Sequence, residues 1–434
     1  MSLLDSALRQ TLSQVPDRMG ELAELIDPTW IAHALAASGK ASIRRRKLPA
    51  EHAVWLVIGL ALLRKLPLTH VVQQLALSLD SQHLPVPSAS VQARQRLGEE
   101  PLEHLFGLLA QAWSRTATLS SMRVLAVDGV VWAAPDTPEN RAELGSGSTQ
   151  YGALPWPQVR ATCLMDTHSH ELLDARIGGM DSGELTLAAQ LKGVDHSLTL
   201  FDRAYFSATF LLDWQAAGQE RHWLMRARDN LRYEVIETWA RGDMRIRMRM
   251  SSQAHKRRPE LPSHWEARLI EVEAGGKRRR FITSLFERKT HSAKALAELY
   301  RQRWEIELGF REIKQSLQDA EPVLRSKQPA LVRQELWGVL IAYALLRRWM
   351  SQMAVQANVE PRRISFHTAS YAITALLQSA CLESAGTLPQ RLADLLAQSR
   401  YFVIPPRRTE RRCPRVVKNR AAKFPTKRTP VSLN

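Results

Sequence analysis

Four polar residues of one segment have the spacing of a single helix face: Tyr300, Arg303, Glu307 and Lys314. At about 100° per residue, their side chains fall within a stripe roughly 60° wide. A carboxylate flanked by two cations and a phenol makes a poor core face, but it suits a metal ion and phosphate groups. The alternative is an ordinary solvated face held by Glu–Lys and Arg–Glu pairs.

The helix that must carry this stripe is predicted over residues 293–317. The segment contains no proline, and residue types that favour helices dominate it. A second stripe at helical spacing is apolar and can face a core; it consists of Leu296, Leu299, Ile306 and Phe310. Glu305 and Glu312 lie on other faces of this predicted helix, so Glu307 is the carboxylate expected in a site.

Two aspartates precede this helix in unusual settings. Asp128 lies inside the apolar segment 124–132, where an unpaired carboxylate is costly to bury. Asp202 directly follows the apolar run 198–201, and an acid at the carboxyl end of a buried strand points into the crevice where α/β sheets bind ligands. The alternative for each is a strand-end acid that caps a loop.

Together, Asp128, Asp202 and Glu307 form a set of hard oxygen ligands. Such a set suits Mg²⁺ or Mn²⁺ and not zinc. Two of these ions about 4 Å apart can activate an attacking oxygen and stabilise a leaving oxygen in phosphoryl transfer. The three acids therefore indicate metal-assisted phosphoryl transfer.

The charge balance points to a polyanionic partner. The 434 residues include 60 Lys+Arg against 43 Asp+Glu, which gives a net charge of +17. This excess favours nucleic acid or an anionic membrane surface. Residues 407–428 hold ten Lys/Arg against one acid in a segment without apolar periodicity. We interpret this tail as ordered by a polyanion; a merely solubilising tail is the alternative.

Cysteine usage and apolar runs favour the cytoplasm. The three cysteines have no paired spacing, which fits a reducing compartment and argues against a zinc site. The N-terminal segment has no secretory pattern. The longest apolar runs, 53–63 and 336–346, have about 11 residues each and are too short to cross a bilayer, so they predict buried helices and no membrane partner.

Along the chain, helical patterns give way to strands and then return. Residues 1 to about 115 have helical patterns, residues from 122 predict three strands, helix, strand, helix, residues 221 to about 287 are β-rich, and residues 291–400 are helical again. A short helix starts at Pro87 with a polar side that we expect to be exposed and that includes Arg94 and Arg96. It resembles the second helix of a helix-turn-helix, although an ordinary surface helix fits equally well.

The chain resembles the cut-and-paste DDE transposases of the insertion-sequence-four type. Tyr300-x2-Arg303-x3-Glu307-x6-Lys314 matches the YREK signature of that family in full. The segments 128–140 and 202–206 are similar to its first and second catalytic blocks, and residues 44–75 and the basic tail are also similar. The resemblance covers most of the chain.

This resemblance implies an α/β fold: a ribonuclease-H-like catalytic core interrupted by a β-rich insertion, with an all-helical N-terminal domain and a helical C-terminal region plus basic tail. The expected divisions are 1–118 (DNA-binding), 119–220 and 291–355 (the two parts of the core), 221–290 (insertion) and 356–434 (C-terminal region and tail). A bacterial, nucleoid-associated protein is implied.

The resemblance also implies roles for single residues. Asp128, Asp202 and Glu307 would be catalytic ligands of two Mg²⁺ ions, with Mn²⁺ able to replace Mg²⁺. Contacts to DNA would come from Tyr300, Arg303, Lys314, Arg203, Arg94 and Arg96. The substrates would be double-stranded DNA, namely terminal inverted repeats and target DNA, with a hairpin intermediate and a homodimer in the synaptic complex.

Three points stay open at this level. Ala204 stands where the family usually has Gly, and a required positive φ there would cost about 1 kcal/mol. A displaced base in a hairpin mechanism would need a stacking partner, and the insertion offers Trp239, Trp265 and Phe281, each of which also fits a core position. A catalytically decayed DNA-binding copy is the main alternative function, and a metal-dependent nuclease or a DNA-binding regulator is another.

Overall fold

The structure, a computed structural model, describes Leu22 and residues 25–41, 48–77, 85–114, 122–149, 152–274, 276–321, 323–379 and 387–406. The basic tail at 407–428 and part of the similar stretch 44–75 lie outside the described residues.

Among the described residues, the N-terminal part contains five helices. They are α1 (Pro28–Ala37), α2 (Ala50–Leu62), α3 (Leu68–Gln74), α4 (Pro87–Leu97) and α5 (Glu100–Ser114). Asp27 caps α1, since its carboxylate accepts the N–H of Thr29 at 2.8 Å. The apolar run that makes α2 is buried from Ala53 onward, which confirms the prediction of a buried helix.

A nine-stranded sheet forms the centre of the molecule. Its strands are β1 (Arg123–Ala133), β4 (Gln158–Asp166), β5 (Leu172–Gly179), β6 (Ser197–Phe201), β7 (Arg221–Arg226), β8 (Glu234–Ala240), β9 (Asp243–Arg249), β10 (His264–Ala274) and β11 (Lys277–Thr283). Their order is β5-β4-β1-β6-β7-β11-β10-β9-β8. Strands β2 (Ser148–Thr149) and β3 (Gly152–Ala153) form a separate small pair.

The first five strands of this order position the candidate site. β1 pairs antiparallel with β4 and parallel with β6, and β6 pairs parallel with β7. The carboxyl ends of β6 and β7 therefore lie at one edge of the sheet, level with the middle of β1. The short helices α6 (Pro138–Leu144), α7 (Glu184–Ala188) and α8 (Ala208–Ala216) connect these strands.

The β-rich segment extends the central sheet. β11 pairs antiparallel with β7, and β10, β9 and β8 follow outward. The predicted hairpin is present as β10–β11, and the alternating segment around β9 puts Ile246 and Met248 into a core while Arg247 and Arg249 are exposed. Helix α9 (Ser252–Arg257) connects β9 to β10.

The segment predicted as one helix over 293–317 is helical but not uniform. It consists of α10 (Ala293–Leu299), a 3₁₀ turn (Tyr300–Arg303), α11 (Trp304–Arg311) and a π-helical stretch (Glu312–Leu317). The expectation of one regular α-helix is therefore wrong in detail. Its apolar stripe still packs inward: Leu296, Ile306 and Phe310 are buried.

The C-terminal part is built on the long helix α12 (Pro329–Ala357), followed by α13 (Phe366–Ser379) and α14 (Thr387–Ala397). Helix α12 is long and apolar enough to cross a membrane, but 89% of its most apolar window is buried inside the protein. It packs against α2, α5 and α13, so its apolar character is that of a core helix.

Candidate active site

The two aspartates lie on neighbouring strands at the same level. Asp128 is in the middle of β1, and Asp202 directly follows β6. Val127 is the register partner of Phe201, so the residues that follow them, Asp128 and Asp202, lie side by side. Asp128 has the strand parity of Ala126 and Val130, whose side chains enter the core under α11 and α12. Its carboxylate therefore points to the face that carries Glu307.

Arg303 joins the carboxylates of two elements. Its Nη2 donates to Glu307 Oε1 at 2.5 Å, and its Nη1 donates to Asp128 Oδ2 at 3.5 Å. The side chain of Arg303 is 13% exposed, so this bridge is largely screened from water. The structure thus brings Arg303, Glu307 and Asp128 together, as the sequence analysis predicts.

The carboxyl group of Asp128 is held in a setting that resists ionisation. Burial raises its pKa to about 6, and the charges of Glu184 and Glu307 act in the same direction. The N–H of Gly129, which donates to Asp128 Oδ1 at 2.8 Å, and the guanidinium of Arg303 act in the opposite direction. The cluster of Asp128, Glu184 and Glu307 therefore carries an excess of negative charge, which Arg303 offsets in part.

Tyr300 and Lys314 tie the same helical segment to the sheet. The phenol of Tyr300 donates to the carbonyl of Phe201 at 3.0 Å, directly before Asp202. Burial raises its pKa to about 12, so it is a neutral donor. Lys314 Nζ donates to the carbonyl of Val131 at 2.8 Å, and burial lowers its pKa. The four-residue stripe therefore faces the sheet edge and brackets the aspartates.

The donor chemistry of this site fits a divalent cation. Asp128, Asp202 and Glu307 offer hard carboxylate oxygens, and a cation would favour the ionised form of Asp128, whose pKa is raised mainly by burial. In the described part of the chain, no three His, Cys, Asp or Glu side chains stand close enough together to hold a metal ion. Arg303 occupies an oxygen of both Asp128 and Glu307, so a bound ion would have to take over these contacts.

The segment that is similar to the family's second catalytic block forms a short 3₁₀ turn over Arg203–Tyr205. Asp202 caps it by accepting the N–H of Arg203 at 2.7 Å. Ala204 lies inside this turn and does not adopt a positive φ. The replacement of the family's usual Gly therefore causes no left-handed strain. Arg203 is exposed, 3.4 Å from Asp229, and its contact with DNA stays a prediction.

The exposed position expected for Arg94 is wrong. Its side chain is buried, and its guanidinium donates to Gln334 Oε1 at 2.9 Å and to Ser326 Oγ at 3.0 Å. Arg94 thus joins α4 to the start of α12, because this is the face on which α4 packs. Arg96, two residues on, is exposed, and its role at DNA stays a prediction.

The aromatic candidates in the insertion are mostly core residues. Trp265 and Phe281 are each only 4% exposed, so neither ring can stack on a base as the protein stands. Trp239 is partly buried, with Arg288 over its ring at 5.3 Å. The exposed aromatic beside the site is Trp304, which is 54% exposed and follows Arg303.

Two further residues at the site were not singled out from the sequence. Glu184, the first residue of α7, lies over Gly129, where an added Cβ would come within 2.7 Å of its carboxyl group. Arg226 ends β7 beside the level of Asp202, close enough for its charge to act on the pKa of Tyr300. Neither belongs to a motif, so only the sheet order could have found them.

The chain matches known protein families over most of its length. The Insertion element 4 transposase N-terminal family matches residues 16–107, and the Transposase DDE domain family matches residues 119–345. The chain is 39% identical over 412 residues to Transposase InsG for insertion sequence element IS4 of Escherichia coli (strain K12), covering 93% of each chain. It is 36% identical over 225 residues to the transposase InsZ of the same strain, covering 50% of this chain and 74% of InsZ.

Among solved structures, a piggyBac transposase synaptic complex with hairpin DNA matches with a TM-score of 0.44 at 9% identity, covering 89% of this chain and 86% of that chain. The family matches and the full-length relative are decisive: this chain belongs to the DDE transposases of the IS4 family and is a DNA transposase of a bacterial insertion sequence.

Proposed function

We propose that this transposase binds the terminal inverted repeats of its element, cleaves the DNA at each end through a hairpin intermediate, and joins the ends to target DNA. The observation that carries the proposal is the meeting of three elements at one sheet edge. Asp128 and Asp202 are level on neighbouring strands, and Arg303 links Asp128 to Glu307.

In this proposal, Asp128, Asp202 and Glu307 hold two Mg²⁺ ions, which Mn²⁺ can replace. When bound, such ions lower the pKa of the attacking hydroxyl group and stabilise the charge on the leaving oxygen. The side chains of Tyr300, Arg303 and Lys314 bind phosphate groups beside the cleaved bond. Their half-buried positions support this role, because charged hydrogen bonds are stronger where water is partly excluded.

Arg303 also has a role before the metal arrives. Its bridge between Asp128 and Glu307 holds two carboxylates together that would otherwise repel each other. We propose that Arg303 turns from these carboxylates to a DNA phosphate as the ions bind. The ribonuclease-H-like description of the core belongs to the same proposal, supported by the order β5-β4-β1-β6-β7 with its first three strands antiparallel.

The assembly and the location follow from the reaction. Two ends must be cut and joined together, so we propose one copy of the chain at each end and a homodimer in the synaptic complex. Bacterial relatives and a sequence without paired cysteine spacing support action on the nucleoid in the cytoplasm. The basic tail at 407–428 would add sequence-independent contacts with the phosphate backbone.

The test compares Glu307→Gln with Glu298→Gln, an exposed carboxylate on the same helical segment. Cleavage of a supercoiled donor plasmid in Mg²⁺ should fall at least about 100-fold in the first variant, a loss that even outer-shell changes at metal sites reach. It should stay at the wild-type rate in the second, and both should bind end DNA in EDTA. Wild-type cleavage by Glu307→Gln would refute the assignment, and a wild-type protein that binds without cutting would support the decayed-copy alternative.

A further inference from the structure

The β10–β11 hairpin projects past the edge of the sheet that carries the candidate site. Phe281 of β11 is the register partner of Arg226, the last residue of β7. Met225 is in turn the partner of Phe201, so Arg226 is level with Asp202. Lys277, where β11 begins, lies four residues beyond Phe281, which is about 13 Å at the rise of a strand. The hairpin therefore reaches out beside any molecule held at the carboxylates.

The cations on the two faces of β11 differ in their partners. On one face, Arg278 forms an ion pair with Glu271, and Arg280 donates to the carbonyl of Asp229 at 2.8 Å. On the other face stand Lys277 and Arg279, both exposed. Their register partners on β10 are Ala274 and Val272, and no ion pair is found for either cation among the residues that the structure describes.

Lys277 and Arg279 point to the side of the sheet on which the helical segment with Tyr300 and Glu307 packs. Phe281 shares the strand parity of Lys277 and Arg279, and its ring packs on Tyr300 with 5.1 Å between centroids. Arg226 stands opposite Phe281 and points to the same side. Arg226, Arg279 and Lys277 therefore form a line that starts level with Asp202 and runs outward; we refer to these three residues as the outer row.

We infer that the outer row binds the phosphate backbone of the DNA duplex where it leaves the active site. This inference rests on the proposed function and adds to it the path of the DNA along the insertion. The row consists of exposed like charges on one strand face, which suits the repeating negative charge of a phosphate backbone. Contacts with phosphate groups fix the register and direction of a duplex and carry no sequence information.

The experiment measures duplex binding at several salt concentrations in EDTA. Wild type, the double variant Lys277→Ala/Arg279→Ala, and Arg278→Ala are compared, with the last removing a charge from the paired face of the same strand. Two lost phosphate contacts lower the slope of log K against log salt by about 1.8. The affinity ratio between 50 and 200 mM salt should therefore shrink about 12-fold in the double variant and stay at the wild-type value in Arg278→Ala.

Three further measurements sharpen the result. The charge-conserving variant Lys277→Arg/Arg279→Lys should keep the wild-type slope, because the slope depends on the number of phosphate contacts and not on the type of cation. The loss should be equal for an element-end duplex and an unrelated duplex, and it should vanish when the duplex is shortened on one side of the cleaved bond. An unchanged slope in the double variant, an equal loss in Arg278→Ala, or a loss that survives shortening on both sides would overturn the outer row. Wild-type protein that neither binds nor cuts DNA would overturn the proposed function instead.

Discussion

Asp128 should cost the protein stability at neutral pH, and Asp128→Asn should recover it. The side chain is only 21% exposed and lies near the carboxylates of Glu184 and Glu307. Burial, aided by these charges, raises the pKa of Asp128 from 3.8 to about 6. Arg303 and the N–H of Gly129 offset only part of this effect.

The size and sign of the effect follow from the pKa difference. The unfolded chain ionises this carboxyl group near 3.8 and the folded chain near 6, so the folded protein is stabilised by protonation. The full stability is present below pH 3.8 and is lost as the pH rises through 6. A difference of about two pKa units corresponds to about 3 kcal/mol. An asparagine cannot ionise, so it should be more stable by up to about 3 kcal/mol above pH 6 and should lose this advantage near pH 4.

Urea unfolding in EDTA, followed by the fluorescence of the 12 tryptophans, measures the difference. Asp229→Asn, at a side chain that is 83% exposed, is the matched control and should change little at either pH. Added Mg²⁺ should raise the stability of wild type and have a smaller effect on Asp128→Asn. If Asp128→Asn is less stable than wild type at pH 7.5, or if its advantage does not shrink towards pH 4, the reasoning about the buried carboxylate is refuted.

Three further perturbations test other parts of the site. Arg347→Ala removes the fully buried partner of Glu312 and should lower the free energy of unfolding by about 3–5 kcal/mol. The double variant Arg347→Met/Glu312→Gln should recover part of this stability, because it leaves no unpaired buried charge. An equal loss in both variants would contradict the ion-pair account. Tyr300→Phe leaves the buried carbonyl of Phe201 without its donor and should cost about 1–3 kcal/mol in urea unfolding, which an unchanged midpoint would contradict. Trp304→Ala removes the exposed ring beside the site and should lower hairpin yield about 5-fold or more at unchanged end binding; a normal yield would exclude stacking on this ring.

Local sequence patterns were enough to predict the elements that carry the aspartates. An apolar run that ends in an acid predicted β6 and Asp202, and a β-branched run predicted β1 around Asp128. These predictions succeed because the strands are buried, and burial selects near-continuous apolar runs that are visible in the sequence. The meeting of Asp128 with Glu307 is inferred from their residue types and from the family resemblance, since the packing of α11 on β1 is a non-local property that no local pattern predicts.

Arg94 marks where local reasoning fails. Its helix has small or apolar residues at 90, 93 and 97, and position 94 lies on that same face. The guanidinium is accepted there because Gln334 and Ser326, more than 230 residues away, supply its hydrogen bonds. Local sequence patterns place a charged residue towards water, but a charge can be buried where enough hydrogen-bond partners surround it.

The irregular helix behind Glu307 has the same kind of origin. Glu312, at the start of the π-helical stretch, accepts hydrogen bonds from Tyr343 and Arg347, which come 31 and 35 residues later on α12. Burial alone would raise the pKa of Glu312, but Arg347 and His170 lower it to about 2, so the carboxylate stays charged. These contacts involve a face of the segment other than the one that carries Tyr300 and Lys314, so the spacing of the four-residue stripe does not predict them. A rotation of about 100° per residue therefore predicts the correct stripe of side chains, but it does not predict the 3₁₀ turn and the π-helical stretch.

The β-rich segment continues the sheet that carries the candidate site, and this continuity affects how the segment can act. β11 is joined to β7 through the register pairs Arg226–Phe281, Met225–Ile282 and Leu224–Thr283. Within the insertion, the fully buried Arg268 makes two hydrogen bonds to Asp243, which fixes β9 against β10. A strand extension of this kind cannot swing as a lobe on a linker can, because every shift must break ladder hydrogen bonds. The hairpin that carries the outer row therefore keeps a set distance from the carboxylates, so DNA bound along it would meet the site at one register.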